Sequence, residues 1–447
     1  MSLLLELARC LAVLRWLADE VFLFVYVSRA VKPTRYHAVG PLLGRGIFTE
    51  DGAFWKQSRG LLRPNFEKHQ SSDLEQFERH MEALFALVRR QNASGRLDLA
   101  DVLGRLVMDT SAEFLMGMGT GALGAGSGNG RAGRFVRDMD VGMRDAALHW
   151  RLGWLYGLWP HAEARRAVQG ARVFVEGFVQ RAVEKAAKGE EEGWKEGKGK
   201  YVFIDELAKR KEVDVDRIRD EAMNVILAGM DTTAALLSNL WFFLVRNQEV
   251  WEKLKAEVDA LEGELPTYEK LRNMKFIKYC AQESEFSPFL THQLRLDTDD
   301  LPLPTALRLF PPAPLLAKIA IRPTTLPHGG GPDGKSPIFI PKGATANYVS
   351  YSLMRSPEVY GPDPDTWRPS RWEDPNLRPG WSYLAFGGGP RVCLGQQYAL
   401  TETYYVTIRL MQEFGKGFEV RDEEWEWREK FQITMSSANG VKVGLRE

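Results

Sequence analysis

Three glycines and a cysteine carry the most specific chemistry in this sequence. The stretch FGGGPRVCLGQQYAL, residues 386–400, sets Phe386, Gly387, Gly389, Arg391, Cys393 and Gly395 in the spacing Phe-Gly-x-Gly-x-Arg-x-Cys-x-Gly. Consecutive glycines let a loop take positive φ and let its backbone approach a flat object closely. After Cys393 an amphipathic pattern begins, with Leu394, Tyr398, Thr401, Tyr405 and Ile408 on one stripe, so the cysteine is expected at a helix N-terminus. The free N–H groups and partial positive charge of such an end stabilise a thiolate. A lone cysteine is otherwise a buried structural residue; the fixed positions around this one favour the chemical reading.

A single thiolate suits a soft metal with one protein ligand, and haem iron is the clear case, because axial cysteinate favours O–O cleavage. Arg391 would then reach a haem propionate as a charge-assisted donor. A second segment, DEAMNVILAGMDTTAALLSNLWFFLV (220–245), reads as a buried helix. Gly229 inside it costs about 1 kcal/mol against alanine, which calls for a reason. Small residues at 228 and 229 would open a groove for O2, with Asp231 and Thr232 delivering protons. A helical threonine can equally bond back to a carbonyl of its own helix. A third segment, FWKQSRGLLRPNF (54–66), puts Trp55 and Arg59 four residues apart on one helix face. By themselves they could be a surface cation–π pair.

Taken together, these motifs resemble the haem-thiolate monooxygenases, the cytochrome P-450 family. GPRVCLGQQYALTETYYVTIRLMQEF and LPHGGGPDGKSPIFIPKG (326–343) are similar to the fungal branch that hydroxylates n-alkanes and fatty acids. The resemblance runs from about Pro41 to the C-terminus. It implies a mainly α fold with a small β portion in a single large domain. It further implies haem b (iron protoporphyrin IX) on Cys393 and propionates held by Trp55, Arg59 and Arg391. NADPH electrons would arrive through a partner NADPH-cytochrome P-450 reductase, with O2 and a lipophilic small molecule as substrates. Leu315, Leu316 and Ala317, just after the PPAP turn, would face that substrate. A tailoring step on a fungal secondary metabolite is the runner-up within the same class. Location on the cytosolic face of the endoplasmic reticulum membrane follows from the resemblance alone.

The family also carries a helical Glu-x-x-Arg whose two charges meet a second arginine in a buried triad. Arg371 in PDTWRPSRW supplies the second arginine, but Glu283 and Arg308 are separated by a polar, proline-punctuated segment. Removing a net 22 residues, by joining Glu283 through one Thr to Leu307, restores the family form CAQETLRLFPP. Codons permitted at 284–286 contain a splice-donor consensus, and those permitted at 301–306 an acceptor. Residues 284–305 are therefore read as a translated, unspliced intron, because a true insertion belongs in a surface loop. A chain made with this segment would lose the register of Glu283 and Arg308, and a buried charge left unpaired costs several kcal/mol. The alternative outcome is a non-catalytic chain that cannot hold haem stably.

Behind these motifs stand the elements that must position them. Helical periodicity predicts helices over 72–92, 100–118, 161–188, 215–247 and 394–414, with a strand in SPIFIPKG (336–343). The Gly-rich stretch 119–133 and the charged stretch 185–200 read as surface loops. Residues 1–36 form an atypical amphipathic segment without a convincing anchor, since charges interrupt it and its longest uncharged run is Val21 to Ser28. The domain itself spans 37–447. Members of the family carry an anchor, a hinge and part of a β-sheet before PLLGRGIFTEDG, which puts membrane attachment in question here. Lys plus Arg equals Asp plus Glu at 59 each, so no basic field points to nucleic acid. Cys10, Cys280 and Cys393 are too scattered for a disulfide framework or a cysteine zinc site.

Overall fold

A computed structural model describes residues 35–66, 73–124, 130–158, 160–189, 201–210, 212–282, 307–422, 427–431 and 434–446. The helices among them are α1 (Arg35–Leu43), α2 (Gly52–Leu62), α3 (Glu75–Ala93), α4 (Leu99–Met116), α5 (Arg131–Leu152), α6 (Ala162–Ala187) and α7 (Phe203–Ala208). They continue with α8 (Val215–Leu244), α9 (Gln248–Asp259), α10 (Tyr268–Asn273), α11 (Phe276–Gln282), α12 (Ser350–Leu353), α13 (Pro357–Tyr360) and α14 (Gln396–Glu413). The mainly helical architecture with a small β portion is the expected one. The chain groups into two compact units, residues 1–90 with 101–231 and residues 91–100 with 232–447. The N-terminal segment, Glu283 and the suspected intron 284–305 lie outside the described residues.

In the first unit, α3 buries Phe77, Met81, Leu84, Phe85 and Val88, a stripe at helical spacing in an otherwise charged helix. Each such side chain contributes about 1.5–3 kcal/mol when fully buried. Helix α5 begins inside the stretch read as a loop, at Arg131 rather than after 133. Its apolar positions Phe135, Met139, Met143 and Ala146 recur at helical spacing and are buried. Phe135 stacks on Phe174 of α6 with ring centroids 4.5 Å apart. A loop after α4 is wrapped around Asp109, which accepts from Thr120 Oγ1 at 2.6 Å and from the backbone of Ala122 and Leu123 at 3.0 Å.

The second unit holds all the described β structure, in four antiparallel pairs: β1 (Leu315–Ile319) with β4 (Thr345–Val349), β2 (Thr324–Gly330) with β3 (Ser336–Ile340), β5 (Phe418–Val420) with β8 (Val443–Leu445), and β6 (Glu429–Phe431) with β7 (Met435–Ser437). The predicted strand is β3, paired in a hairpin with Leu326 opposite Ile338. Trp241, Trp251 and Phe418 form an edge-to-face cluster, with centroids 5.4–6.3 Å apart. Helix α14 is buried nearly all round, from Tyr398 to Met411, as the central helix of a unit must be. Among the described residues α8 alone is long and apolar enough to cross a membrane, and 67% of its most apolar window is buried, as in a core helix.

Candidate functional site

Gly387 and Gly389 adopt φ of 72° and 71°, the left-handed region that a side chain disfavours. Gly388 between them is extended, and its reason is different: a Cβ there would lie 2.5 Å from the Trp381 ring. The loop closes when Cys393 N donates to Phe386 O at 3.1 Å, so the first position of the motif and its cysteine are joined by one backbone bond. Helix α14 starts at Gln396 with Gly395 as its cap, two residues later than the apolar stripe predicted. Cys393 is thus in the loop before the helix rather than on its first turn, and it is exposed, whereas Cys280 is fully buried. Arg391 ends a short 3-10 turn, Gly389–Arg391, and is half-buried.

The predicted triad is brought together in part. Arg308 lies in a turn and not in a helix, and its side chain is fully buried. It donates to Met354 O at 2.9 Å, Pro364 O at 2.5 Å and Thr366 O at 3.2 Å, with its guanidinium 4.9 Å from the Tyr360 ring centre. Arg371 donates to the same Thr366 carbonyl at 3.2 Å, to Asp363 O at 2.8 Å and to Tyr360 O. Two guanidinium groups therefore meet on one carbonyl. The carboxylate seen beside them is Asp363, which pairs with Arg371 at 2.9 Å and with Arg368 at 2.9 Å. Burial pushes the Asp363 pKa up, but these two guanidiniums outweigh it and hold it below the ordinary carboxylate value. Asp363 went unnoticed in the sequence; its place eight residues before Arg371 is the signal that could have found it.

In the first unit, Trp55 and Arg59 share one face of α2, with the guanidinium 5.9 Å from the Trp55 ring centre. Both are half-buried. Beyond its first turn the longest break in burial along α8 is at 228–232: residues 221–227 are buried, residues 228–232 are half-exposed, and Thr233 is buried again. Gly229 has a packing reason, since a Cβ there would come within 3.2 Å of Ser111 Oγ on α4. Asp231 and Thr232 follow it within the half-exposed run. Leu315 and Leu316 are half-buried on β1 and Ala317 is exposed, opposite Val349, Tyr348 and Asn347 of β4.

A family model for cytochrome P450 matches residues 17–298 and 306–439. Cytochrome P450 monooxygenase himC of Aspergillus japonicus is 40% identical over 417 residues, covering 92% of this chain and 70% of that protein. Cytochrome P450 52A4 of Candida maltosa is 36% identical, covering 92% of this chain and 74% of its own length. Among solved structures, the cytochrome P450DA heme domain superposes with a TM-score of 0.72 at 20% identity, over 95% of this chain and 86% of that one, which speaks for the fold. The family brings with it haem as cofactor and electrons from a redox partner. With the cysteine loop, the helical fold and these matches in agreement, the chain belongs to the cytochrome P450 monooxygenases.

Proposed function

We propose that this monooxygenase inserts one atom of O2 into a C–H bond of a lipophilic substrate, an n-alkane or a fatty acid, using NADPH electrons passed on by a reductase at the endoplasmic reticulum membrane. The single observation that carries the reading is the loop 386–395, with its exposed Cys393. It fits a haem: at Gly387 and Gly389 an added Cβ would meet nothing within 4 Å, so a flat group has open backbone to lie against. When bound, haem would supply the oxygen chemistry, and a thiolate ligand would favour it. Cys393 is the thiolate donor, and Phe386, Gly387, Gly389 and Gly395 shape the loop that presents it. Arg391, Trp55 and Arg59 bind propionates, as fixed cationic and N–H donors suit a carboxylate. Asp231 and Thr232, at the half-exposed break in α8, hold and pass protons. Leu315, Leu316 and Ala317 offer an apolar strand edge to the substrate, and Glu283, Arg308 and Arg371 brace the fold.

The relatives at 40% and 41% identity, monooxygenases of Aspergillus japonicus and Fusarium heterosporum, stand above the 52A proteins at 36%. The likeness is thus not confined to the 52A proteins, and a tailoring step on a fungal secondary metabolite stays as the second reading. Residues 284–305 remain our candidate for a retained intron; the family match runs on through 284–298 and breaks only at 299–305, inside that segment. The deciding experiment is a reduced carbon-monoxide difference spectrum of the chain as written and of the chain lacking 284–305, each with and without Cys393→Ser. The thiolate-type Soret band is expected in the shortened chain and lost with the serine. Survival of the band in Cys393→Ser sinks the ligand assignment; its absence from the chain as written makes that chain non-catalytic.

A further inference from the structure

The loop 44–51, between α1 and α2, is tied to α8 through three of its backbone N–H groups. Arg45 N donates to Asp220 Oδ2 at 2.8 Å, Ile47 N to Glu221 Oε2 at 3.3 Å and Phe48 N to Asn224 Oδ1 at 3.1 Å. Asn224 Nδ2 returns a bond to Leu43 O at 3.1 Å. The approach is so close that a Cβ on Gly44 would lie 2.0 Å from Asp220 Cγ, and one on Gly46 2.4 Å from Asn224 Nδ2. The same helix then reaches α2. Arg217 lies 3.8 Å over the Phe54 ring, donates to Ser58 Oγ at 2.7 Å and pairs with Glu221 at 2.9 Å. Arg45 sits 4.4 Å from the same Phe54 ring. Glu221 is fully buried and Arg217 is 17% exposed, so this is an ion pair shielded from solvent.

Phe54 and Ser58 immediately precede Trp55 and Arg59 on α2. A pin at 54 and 58 fixes the rotation of the helix, and therefore the direction in which positions 55 and 59 point, because neighbouring residues are offset by about 100°. We propose that the Arg217–Glu221 pair is a positioning device for α2, holding the helix and the loop before it so that Trp55 and Arg59 are presented to a haem propionate. The proposal rests on the reading of Trp55 and Arg59 as propionate ligands. Glu221 touches no haem in it; the residue acts through α2.

The test uses whichever form of the chain, as written or lacking 284–305, gives the thiolate-type band, loaded with haem and carrying Glu221→Gln, Arg59→Ala or both. Haem transfer to excess apomyoglobin is timed, and hydrogen exchange of peptides within 44–62 is followed in the same proteins. Glu221→Gln is expected to speed haem loss roughly tenfold, as loss of an outer-shell partner does. It should also raise exchange across 45–62 and add less than its full factor once Arg59 is Ala, because only Trp55 is then left to position and residues acting as one unit are non-additive. Haem-loss factors that multiply in the double variant, or exchange that stays at the parent level, overturn the positioning role. Arg59→Ala losing haem no faster than the parent overturns the propionate reading instead, and a parent that takes up no haem in either form overturns both. Arg217→Lys keeps the charge and gives up the flat stack on Phe54, which guards against a result due to misfolding. An intermediate rate of loss is expected for it, and a parental rate counts against the proposal.

Discussion

Arg308→Lys is the substitution whose cost can be worked most directly from the structure. The guanidinium is fully buried and serves three carbonyls from two nitrogens: Met354 and Pro364 from one, Thr366 from the other. Charge-assisted bonds of this kind contribute about 1.5–3 kcal/mol each, and a buried acceptor left empty loses its full solvation. A lysine keeps the charge but brings one nitrogen on a flexible stem, so it reaches only part of this set. Thr366 O retains Arg371 as a donor, which limits the damage. The net loss is therefore set by one carbonyl at Met354 or Pro364 and by the lost plane over Tyr360, about 3 kcal/mol in all. In a unit of roughly 150–250 residues each kcal/mol moves Tm by about 2–4 °C, which puts the drop near 6–12 °C. Because the chain has two compact units, calorimetry should be paired with hydrogen exchange of peptides covering 350–372, where the loss must concentrate. Arg144→Lys is the control, on a side chain 57% exposed, with an expected change within about 0.5 kcal/mol. A fall of less than about 2 °C for Arg308→Lys, or exchange unchanged at 350–372, would refute the argument that this guanidinium braces the loop.

Two further outcomes are expected. Iodoacetamide should label exposed Cys393 in the haem-free chain well before Cys280, whose thiol burial pushes far above its ordinary value, and haem loading should protect Cys393; peptide mass spectrometry checks both, and labelling of Cys393 unaffected by haem would remove it as the iron ligand. Burial holds the His149 imidazole below its usual value against the pull of Asp145, with His37 and His161 pushing the same way as burial. Folding therefore favours neutral His149, so its contribution is complete above the unfolded value of 6.5 and is lost as pH falls below that toward the lowered folded value. His149→Phe keeps a ring against Tyr156, 4.0 Å away, and should flatten this part of the stability profile between about pH 7 and 5 in thermal melts; an unchanged slope would mean that other groups set it.

The chemistry of this protein is written in short-range signals, and its positioning in long-range ones. The loop 386–395 and the helices around 75–93, 162–187, 215–244 and 396–413 were legible, because each is a local pattern: turn-forming glycines, or apolar residues at helical spacing. Helix α5 was hidden because its apolar residues are thinly spread among charges and its start is Gly-rich. The reasons for Gly388 and Gly229 were hidden more deeply, since each answers to a ring or hydroxyl that only the folded chain brings near. Arg308 shows why the remainder was out of reach. The charge pair expected with Glu283 leaves two letters in a sequence. The partners the structure supplies include the carbonyls of Met354, Pro364 and Thr366, groups that every residue carries and no letter announces. The clamp on 44–48 is the same case with donors and acceptors exchanged: ordinary backbone N–H groups meet Asp220, Glu221 and Asn224 across more than 170 positions. A buried ionic residue should therefore be read also for the main-chain groups it could satisfy, because each of those left unpaired costs about 1–3 kcal/mol and three together rival an unpaired charge.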